Sequence, residues 1–189
     1  MSNINYKLRE FNKNDISSIA KYANNENIAK WLTDEFPNPY SKKDAERFID
    51  IASKEKFMKV FAIEVNNEAV GSIALNFSQI NDKNNYNNYE NLKTAELGYW
   101  LAEKYWNKGI ITLAIKDIVE YGFNNYEINC IYATPFKENI ASQKVLKKAG
   151  FKTDSKLKTI NKKNKNYEVI IYTMQNNIIR IRKSNTYKN

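Results

Sequence analysis

The chain has 189 residues, 42% apolar and 27% charged, the size and make-up of one globular domain with a sizeable core. It contains no histidine and one cysteine, which excludes Ser-His-Asp and Cys-His triads, HExxH zinc sites, His-ligated metals and a disulfide scaffold, and leaves a carboxylate, Tyr, Lys or water as any general base. The 30 basic and 21 acidic residues give a net charge of +9, but the positive charge is scattered and Arg is rare, so a nucleic-acid partner is not expected from charge.

Tyr6 to Arg9 reads as an opening strand. Asn12 and Asn14 then supply caps, and Ile16, Ile19, Ala20 and Ala23 fall at the i, i+3, i+4, i+7 spacing of an amphipathic helix. Ile28, Trp31 and Leu32 suggest a further helical turn, and the segment Phe36-Pro37-Asn38-Pro39-Tyr40 must be a loop. Ser41 and Asp44 form a capping box ahead of a helix carrying Ala45, Phe48, Ile49 and Ala52. Phe57 to Val65 and Ala69 to Phe77 are β-rich runs, and Asn66-Asn67 between them suits a tight hairpin turn.

Residues 78–93 are crowded with Asn and read as an exposed loop with no assigned chemistry. Ala95 to Leu101 is a strand with Glu96, Gly98 and Trp100 on one face and Ala95, Leu97, Tyr99 and Leu101 on the other. After Trp106-Asn107-Lys108-Gly109 comes a helix whose apolar stripe is Ile111, Ile115, Ile118, Val119 and Gly122. Ile128 to Ala133 is a short strand. Asn139 to Ala149 is a helix with Ala141, Val145, Leu146 and Ala149 on its apolar stripe, ended by Gly150. Leu157 to Ile160 and Tyr167 to Met174 are strands joined by a Lys/Asn turn, followed by a basic tail, 176–189. The order is β-α-α-β-β-β-α-β-α-β-β: a single α/β domain over 1–175 with a mixed sheet. Hairpins force antiparallel pairs, and strand–helix–strand from 95 to 133 invites a parallel one.

No stretch approaches the roughly 18 apolar residues that cross a bilayer. The N-terminal residues are polar, and Cys130 fits a reducing compartment. A cytoplasmic protein without a membrane partner is expected.

The turn Asn107-Lys108-Gly109-Ile110-Ile111-Thr112 opens a helix, where unpartnered amides and the positive end of the macrodipole can hold a phosphate. A glycine there lets an anion approach the backbone. By itself the feature is weak, and it is neither a Walker A loop nor a GxGxxG fingerprint. It stands, however, in a series. The run Ala95-Glu96-Leu97-Gly98-Tyr99-Trp100-Leu101, the Trp106-x-Lys108-Gly109-Ile110-x-Thr112 turn, the Glu138-Asn139-x-Ala141-Ser142 helix start and Ala149-Gly150-Phe151 occur in this order. Together they closely resemble the GNAT acetyltransferase superfamily, in its RimJ/RimL branch of ribosomal-protein N-acetyltransferases. The loop from Phe36 to Ser41 fits that branch as well.

The resemblance implies a mixed, splayed sheet flanked by helices, with acetyl-CoA in the gap between the fourth strand (94–101) and the fifth (128–133), and no metal. The pyrophosphate would lie on the amides of Asn107, Lys108, Gly109, Ile110, Ile111 and Thr112. The pantetheine arm would run along Trp100, Leu101 and Ala102, with Asn139 and Ser142 facing pantetheine and the thioester. Two positions depart from the family's pattern: Trp106 takes the first place of the pyrophosphate loop, and Ile111 the place of a small residue, which the helical stripe turns into the core.

Glu96 matches the position of the general base in several members. An amine with a pKa of roughly 8 to 10 must lose a proton before it attacks a thioester, and a partly buried Glu can take it. An ion pair on the sheet edge is the alternative for Glu96. Ser142 stands as either the acid for the departing thiolate or a helix-start residue. Trp31, Tyr40 and Tyr99 are candidates to wall the acceptor pocket or to belong to an aromatic core, and Asp34 and Glu35 are candidates to recognise the amine. Cys130, with no base near it in sequence, reads as a buried hydrophobe.

The function so implied is direct transfer of an acetyl group from acetyl-CoA to a primary amine, a protein N-terminal α-amine or a small molecule, in a ternary complex. The competing readings are a catalytically silent CoA-binding module and a ribosome- or nucleic-acid-surface binder. A homodimer is compatible with either.

Overall fold

Local capping sets the helix starts in the computed structural model, which describes residues 5–77, 94–162 and 164–176. The expectations for 78–93 and for the tail beyond Asn176 lie outside the described residues. Asn12 and Asp15 form a reciprocal capping box on a short 3₁₀ turn that leads into α1 (Ile16–Ala23). Ser41 and Asp44 do the same for α3 (Lys42–Lys54), where the Asp44 amide donates to Ser41 Oγ and the Ser41 amide to Asp44 Oδ2. Between them lies α2 (Glu26–Ala29), capped by Asn25, the further helical turn expected about Ile28, which ends before Trp31 and Leu32. The later helices are α4 (Ile110–Asn125) and α5 (Ile140–Ala149).

Among the described residues seven strands form one sheet: β1 (Lys7–Arg9), β2 (Met58–Val65), β3 (Glu68–Phe77), β4 (Thr94–Leu101), β5 (Cys130–Ala133), β6 (Lys152–Lys162) and β7 (Lys165–Gln175). Their spatial order is β1-β2-β3-β4-β5-β7-β6. All neighbours are antiparallel except β4 and β5. Asn66 and Asn67 both take positive φ in a two-residue hairpin, with Val65 opposite Glu68.

Two apolar layers hold the sheet. On one face, Ile110, Ala114, Ile115 and Ile118 of α4 and Leu146 of α5 pack on Ile63, Ile73, Leu75, Leu97, Leu101 and Ile131. On the other, Ile19, Ala23 and Ala45 of α1 and α3 pack on Ala62 and Ala69, joined by Tyr40. Each fully buried aliphatic side chain contributes on the order of 1.5–3 kcal/mol. The fully buried stripe of α4 starts at Ile110, while Ile111 packs half-buried beside it. In α5 the expected Ala141 is exposed and Gln143 is buried. Gln143 is satisfied there by donating to the Lys137 carbonyl at 2.7 Å and accepting from the Tyr172 hydroxyl. β6 starts five residues before the predicted Leu157, because the long pairing with β7 recruits the polar Lys152–Lys156 stretch across an irregularity between Thr153 and Leu157.

β3 and β4 approach unusually closely at Gly71. A Cβ built there would stand 2.5 Å from the Trp100 carbonyl oxygen and 3.1 Å from Leu101 Cα. At Gly122 in α4 the nearest atom, Leu75 Cδ1 at 2.6 Å, is the end of a side chain that can turn. Gly71→Ala is therefore expected to destabilise the protein by about 1–3 kcal/mol, the scale of overpacking. Gly122→Ala should cost less, because helix propensity returns up to about 1 kcal/mol. Urea denaturation of the two variants checks the order; equal midpoints would contradict it.

Candidate active site

Among the described residues β4 and β5 pair through three residues, Thr94 with Cys130, Ala95 with Ile131 and Glu96 with Tyr132. β5 ends at Ala133, while β4 continues to Leu101 with β3 alone as its partner strand. The sheet thus opens immediately after Glu96. Both ends of the opening are helix starts, α4 from the end of β4 and α5 from the end of β5.

Glu96 stands at the apex. Its Oε1 accepts from Thr134 Oγ1 at 2.9 Å, and Thr134 directly follows β5. Burial holds the carboxyl above the usual glutamate value, and the Thr134 bond opposes that rise only in part. No ion pair to Glu96 is present among the described residues, so the ion-pair alternative lacks a partner there. Two residues on, Gly98 shares the face of Glu96, and a Cβ built on it would meet nothing within 4 Å. Trp100 closes the same face, with Phe36 edge-on at 6.2 Å between centroids. Glu96 therefore looks along open space floored by Gly98.

Tyr99 points to the opposite face. Its hydroxyl lies 2.7 Å from Ser142 Oγ on α5, and burial pushes its pKa up to about 12. The structure thus joins Tyr99 to Ser142 and separates it from Trp31 and Tyr40, with which it was grouped as a pocket wall. Asn139 is the N-cap of α5, and its Oδ1 accepts from the Ser142 amide at 3.1 Å. Ser142 is capped through its amide, and its hydroxyl remains for other work.

The turn before α4 is built by Asn107 at φ 59° and Gly109 at φ 80°. Gly109 is the N-cap residue and offers no side chain, so the first amides of α4, Ile110 to Thr112, have no side-chain cap. Space beside Gly109 is open. The side chain of Ile110 is buried and that of Ile111 packs on the core, so these two offer backbone only. Trp106 folds back and donates its indole N–H to the Leu101 carbonyl at 2.7 Å, and the Ala102 amide donates to Val70 at 2.8 Å. Two backbone groups expected to face a ligand are thus engaged within the chain. An uncapped 16-residue helix start, a glycine with open space and an unpaired strand edge fit a long ligand with an anionic middle.

On the other side of the gap, Trp31 packs on Phe136 at 6.2 Å and Phe136 on Tyr167 at 5.4 Å. Asp34 and Glu35 are exposed on the loop after Trp31. Tyr40 is 6% exposed and packs at a tilt on Phe36 at 4.9 Å between centroids, with burial raising its pKa to about 12; it belongs to the core layer under α1 and α3. Cys130 is fully buried and its thiol is pushed up to about 11, which leaves it unreactive. Sequence reasoning missed three contributors: Thr134, Trp106 as a brace, and Gly98. Only Gly98 left a signal, since a glycine inside a strand marks space kept free.

Residues 6–152 match the family model described as the acetyltransferase (GNAT) domain. An uncharacterised N-acetyltransferase, YnaD of Bacillus subtilis (strain 168), is 27% identical over 149 residues, 78% of this chain and 79% of that protein. RimJ of Mycobacterium smegmatis, solved with CoA-disulfide, superposes with a TM-score of 0.77 at 19% identity, covering 92% of this chain and 83% of that one. A spermidine N-acetyltransferase from Vibrio cholerae, solved with CoA and spermine, superposes at 0.69 and 18% identity, covering 90% and 95%.

The raised Glu96 carboxyl has a consequence for stability. A carboxyl whose folded pKa lies above its unfolded value binds the proton more tightly when folded, so its contribution is fully present below the unfolded pKa and is lost as pH rises through the folded pKa. Glu96→Gln mimics the protonated form and keeps an acceptor for Thr134. It should unfold at a higher urea concentration than the wild type near neutrality, with the gain closing below about pH 4, under the ordinary glutamate value. A variant less stable than the wild type at neutrality would contradict this.

Proposed function

The chain belongs to the GNAT acetyltransferase family, and from that premise we propose that it carries the acetyl group of acetyl-CoA directly to a primary amine, a protein N-terminal α-amine or a small molecule, within one ternary complex. The chain is an acetyl-CoA-dependent N-acetyltransferase. The observation that carries the finer reading is the parting of β4 from β5 at Glu96. It sets a half-buried carboxyl beside an unpaired strand edge, with each of the parting strands leading on to a helix start.

Acetyl-CoA, when bound, supplies an activated acyl group. The α4 turn from Asn107 to Thr112 holds its diphosphate through backbone amides, with Lys108 adding charge. The strand edge about Trp100, Leu101 and Ala102 orients the arm. Glu96 takes the ammonium proton of the acceptor, and its raised pKa brings its basicity closer to the amine's. The space over Gly98 admits the amine. Trp31 and Phe136 limit its far side, and the Asp34–Glu35 loop adds negative charge for a cation. Ser142 sits in the first turn of α5, where the amide field favours a departing anion. Cys130 takes no part. These assignments make the described residues a single unit for catalysis, and a panel of peptides and small amines, read by thiol release, ranks the acceptors.

Two outcomes test the reading. Glu96→Gln should lower kcat by roughly 10²–10⁴, the scale of general-base loss, with acetyl-CoA affinity unchanged. Equal turnover from both proteins between about pH 6 and 9 would make Glu96 structural. Gly109→Val forces a β-branched residue to a positive φ of 80° and puts a side chain in the open space. It should weaken CoA at least about tenfold by calorimetry, equivalent to about 1.4 kcal/mol. A folded variant with wild-type affinity would remove the turn from the site.

A further inference from the structure

The two hydroxyls of Tyr99 and Ser142 carry two hydrogens between them and share one hydrogen bond of 2.7 Å. Ser142's amide is spent on Asn139, and neither hydroxyl has another protein partner among the described residues. Whichever way the shared bond runs, one O–H hydrogen is left over. The phenol is the stronger acid of the two, so it is the better donor and the poorer acceptor. We propose that Tyr99 is a positioning residue for Ser142: its phenol donates to Ser142 Oγ, and this frees the Ser142 hydrogen to donate to the sulfur that leaves during transfer.

Three further features support that assignment. Tyr99 projects from β4 beyond the last residue paired with β5, so it lies on the opened part of the strand. Ser142 is the third residue of the ten-residue α5, inside the turn where the macrodipole favours negative charge. A hydroxyl that already accepts a hydrogen bond donates a stronger one, because each bond in a chain polarises the next. The raised pKa of Tyr99 keeps its proton in place throughout the neutral range.

The inference rests on the acetyl transfer proposed above, and the step balances as follows. The amine nitrogen forms a bond to the acyl carbon, the carbon–sulfur bond breaks, and its electron pair remains on sulfur. The ammonium proton goes to Glu96, and the second proton, shed as the nitrogen becomes an amide nitrogen, goes to the released thiolate, so that CoA departs as the thiol. Tyr99 and Ser142 keep their protons, since both are far weaker acids than a thiol with its pKa of about 8.5. They contribute a hydrogen bond to the leaving thiolate, not a proton.

The test titrates CoA bound to the protein, reading the thiolate by its ultraviolet absorbance against pH, a measurement that needs no turnover. The wild type is expected to hold the bound thiol below the value of free CoA. Tyr99→Phe should raise it by roughly one unit, the effect of weakening a hydrogen bond to a charged group. Ser142→Ala should raise it at least as far, and the double variant should titrate like Ser142→Ala alone. Binding of desulfo-CoA, which lacks the sulfur, should be the same in all four proteins and shows that the site is folded. A Tyr99→Phe protein that titrates like the wild type overturns the proposal, as does a double variant whose shift is the sum of the two singles. A wild type that binds neither CoA nor desulfo-CoA would instead overturn the acetyl-transfer reading itself.

Discussion

A strand inside a sheet must place its backbone N–H and C=O groups on partners, and beyond Glu96 β4 meets that demand with a neighbouring strand on one side only. The cause is geometric. β5 is four residues long and turns away at Thr134-Pro135, while β4 goes on for five residues more. The chain engages part of the exposed edge itself, through the Trp106 indole on the Leu101 carbonyl, and the rest lines the gap. The site's other features follow from this parting. Glu96 is half-buried where the strands are still joined, and Gly98 opens the space beyond it. The two following helices start at the gap because each continues one of the parting strands.

The gap is braced on the side away from the strands. The turn that leads from β4 to α4 is tied to the α1–α2 junction: Glu103 accepts from Asn25 Nδ2 at 2.8 Å, and Asn27 adds a longer bond. These bonds hold the Glu103 carboxyl below its usual range. Next to it, Lys104 donates to the Tyr22 hydroxyl at 2.6 Å, which donates in turn to Glu68 at 2.7 Å. At the far end, the buried Lys162 of β6 donates to the Lys30 carbonyl at 3.0 Å and lies over the Phe136 ring. The exposed bonds among these stabilise little one by one. Their common effect is to fix α2 and the loop after it against both rims of the gap, so that Trp31 and Phe136 meet.

Electrostatics separate the two functional faces of β4. The face of Glu96 has a carboxyl whose ionised form is disfavoured by burial, which costs stability at neutral pH. The face of Tyr99 has neutral hydroxyls beside a helix start, a setting that favours an arriving negative charge. A carboxyl and a pair of hydroxyls thus stand on opposite faces of one strand, separated by its pleat. Cys130, on the neighbouring strand, is excluded from both by complete burial.

Helix and strand positions were legible because caps and periodicity act over a few residues: Ser41 with Asp44, the Asn66-Asn67 turn and the stripe of α4 all formed as their local chemistry requires. The family was legible because its motifs tie residue types to consecutive turns, and Glu96, Gly109, Asn139 and Ser142 each stand in such a motif. The partners of those residues were not legible. Thr134 reaches Glu96 across 38 positions and Tyr99 reaches Ser142 across 43, and neither distance has a sequence period. Tyr40 and Tyr99 look alike as aromatics near a pocket, yet one is packed under α1 and the other is bonded to α5. Which face of β4 meets which helix depends on the order of strands in the sheet, and that order is fixed by packing of distant segments. The sequence by itself determined the fold class, the elements and the motif residues, because these arise from local steric and capping preferences. Only the tertiary structure decided which side chains meet, because contacts between distant segments are set by burial and strand order.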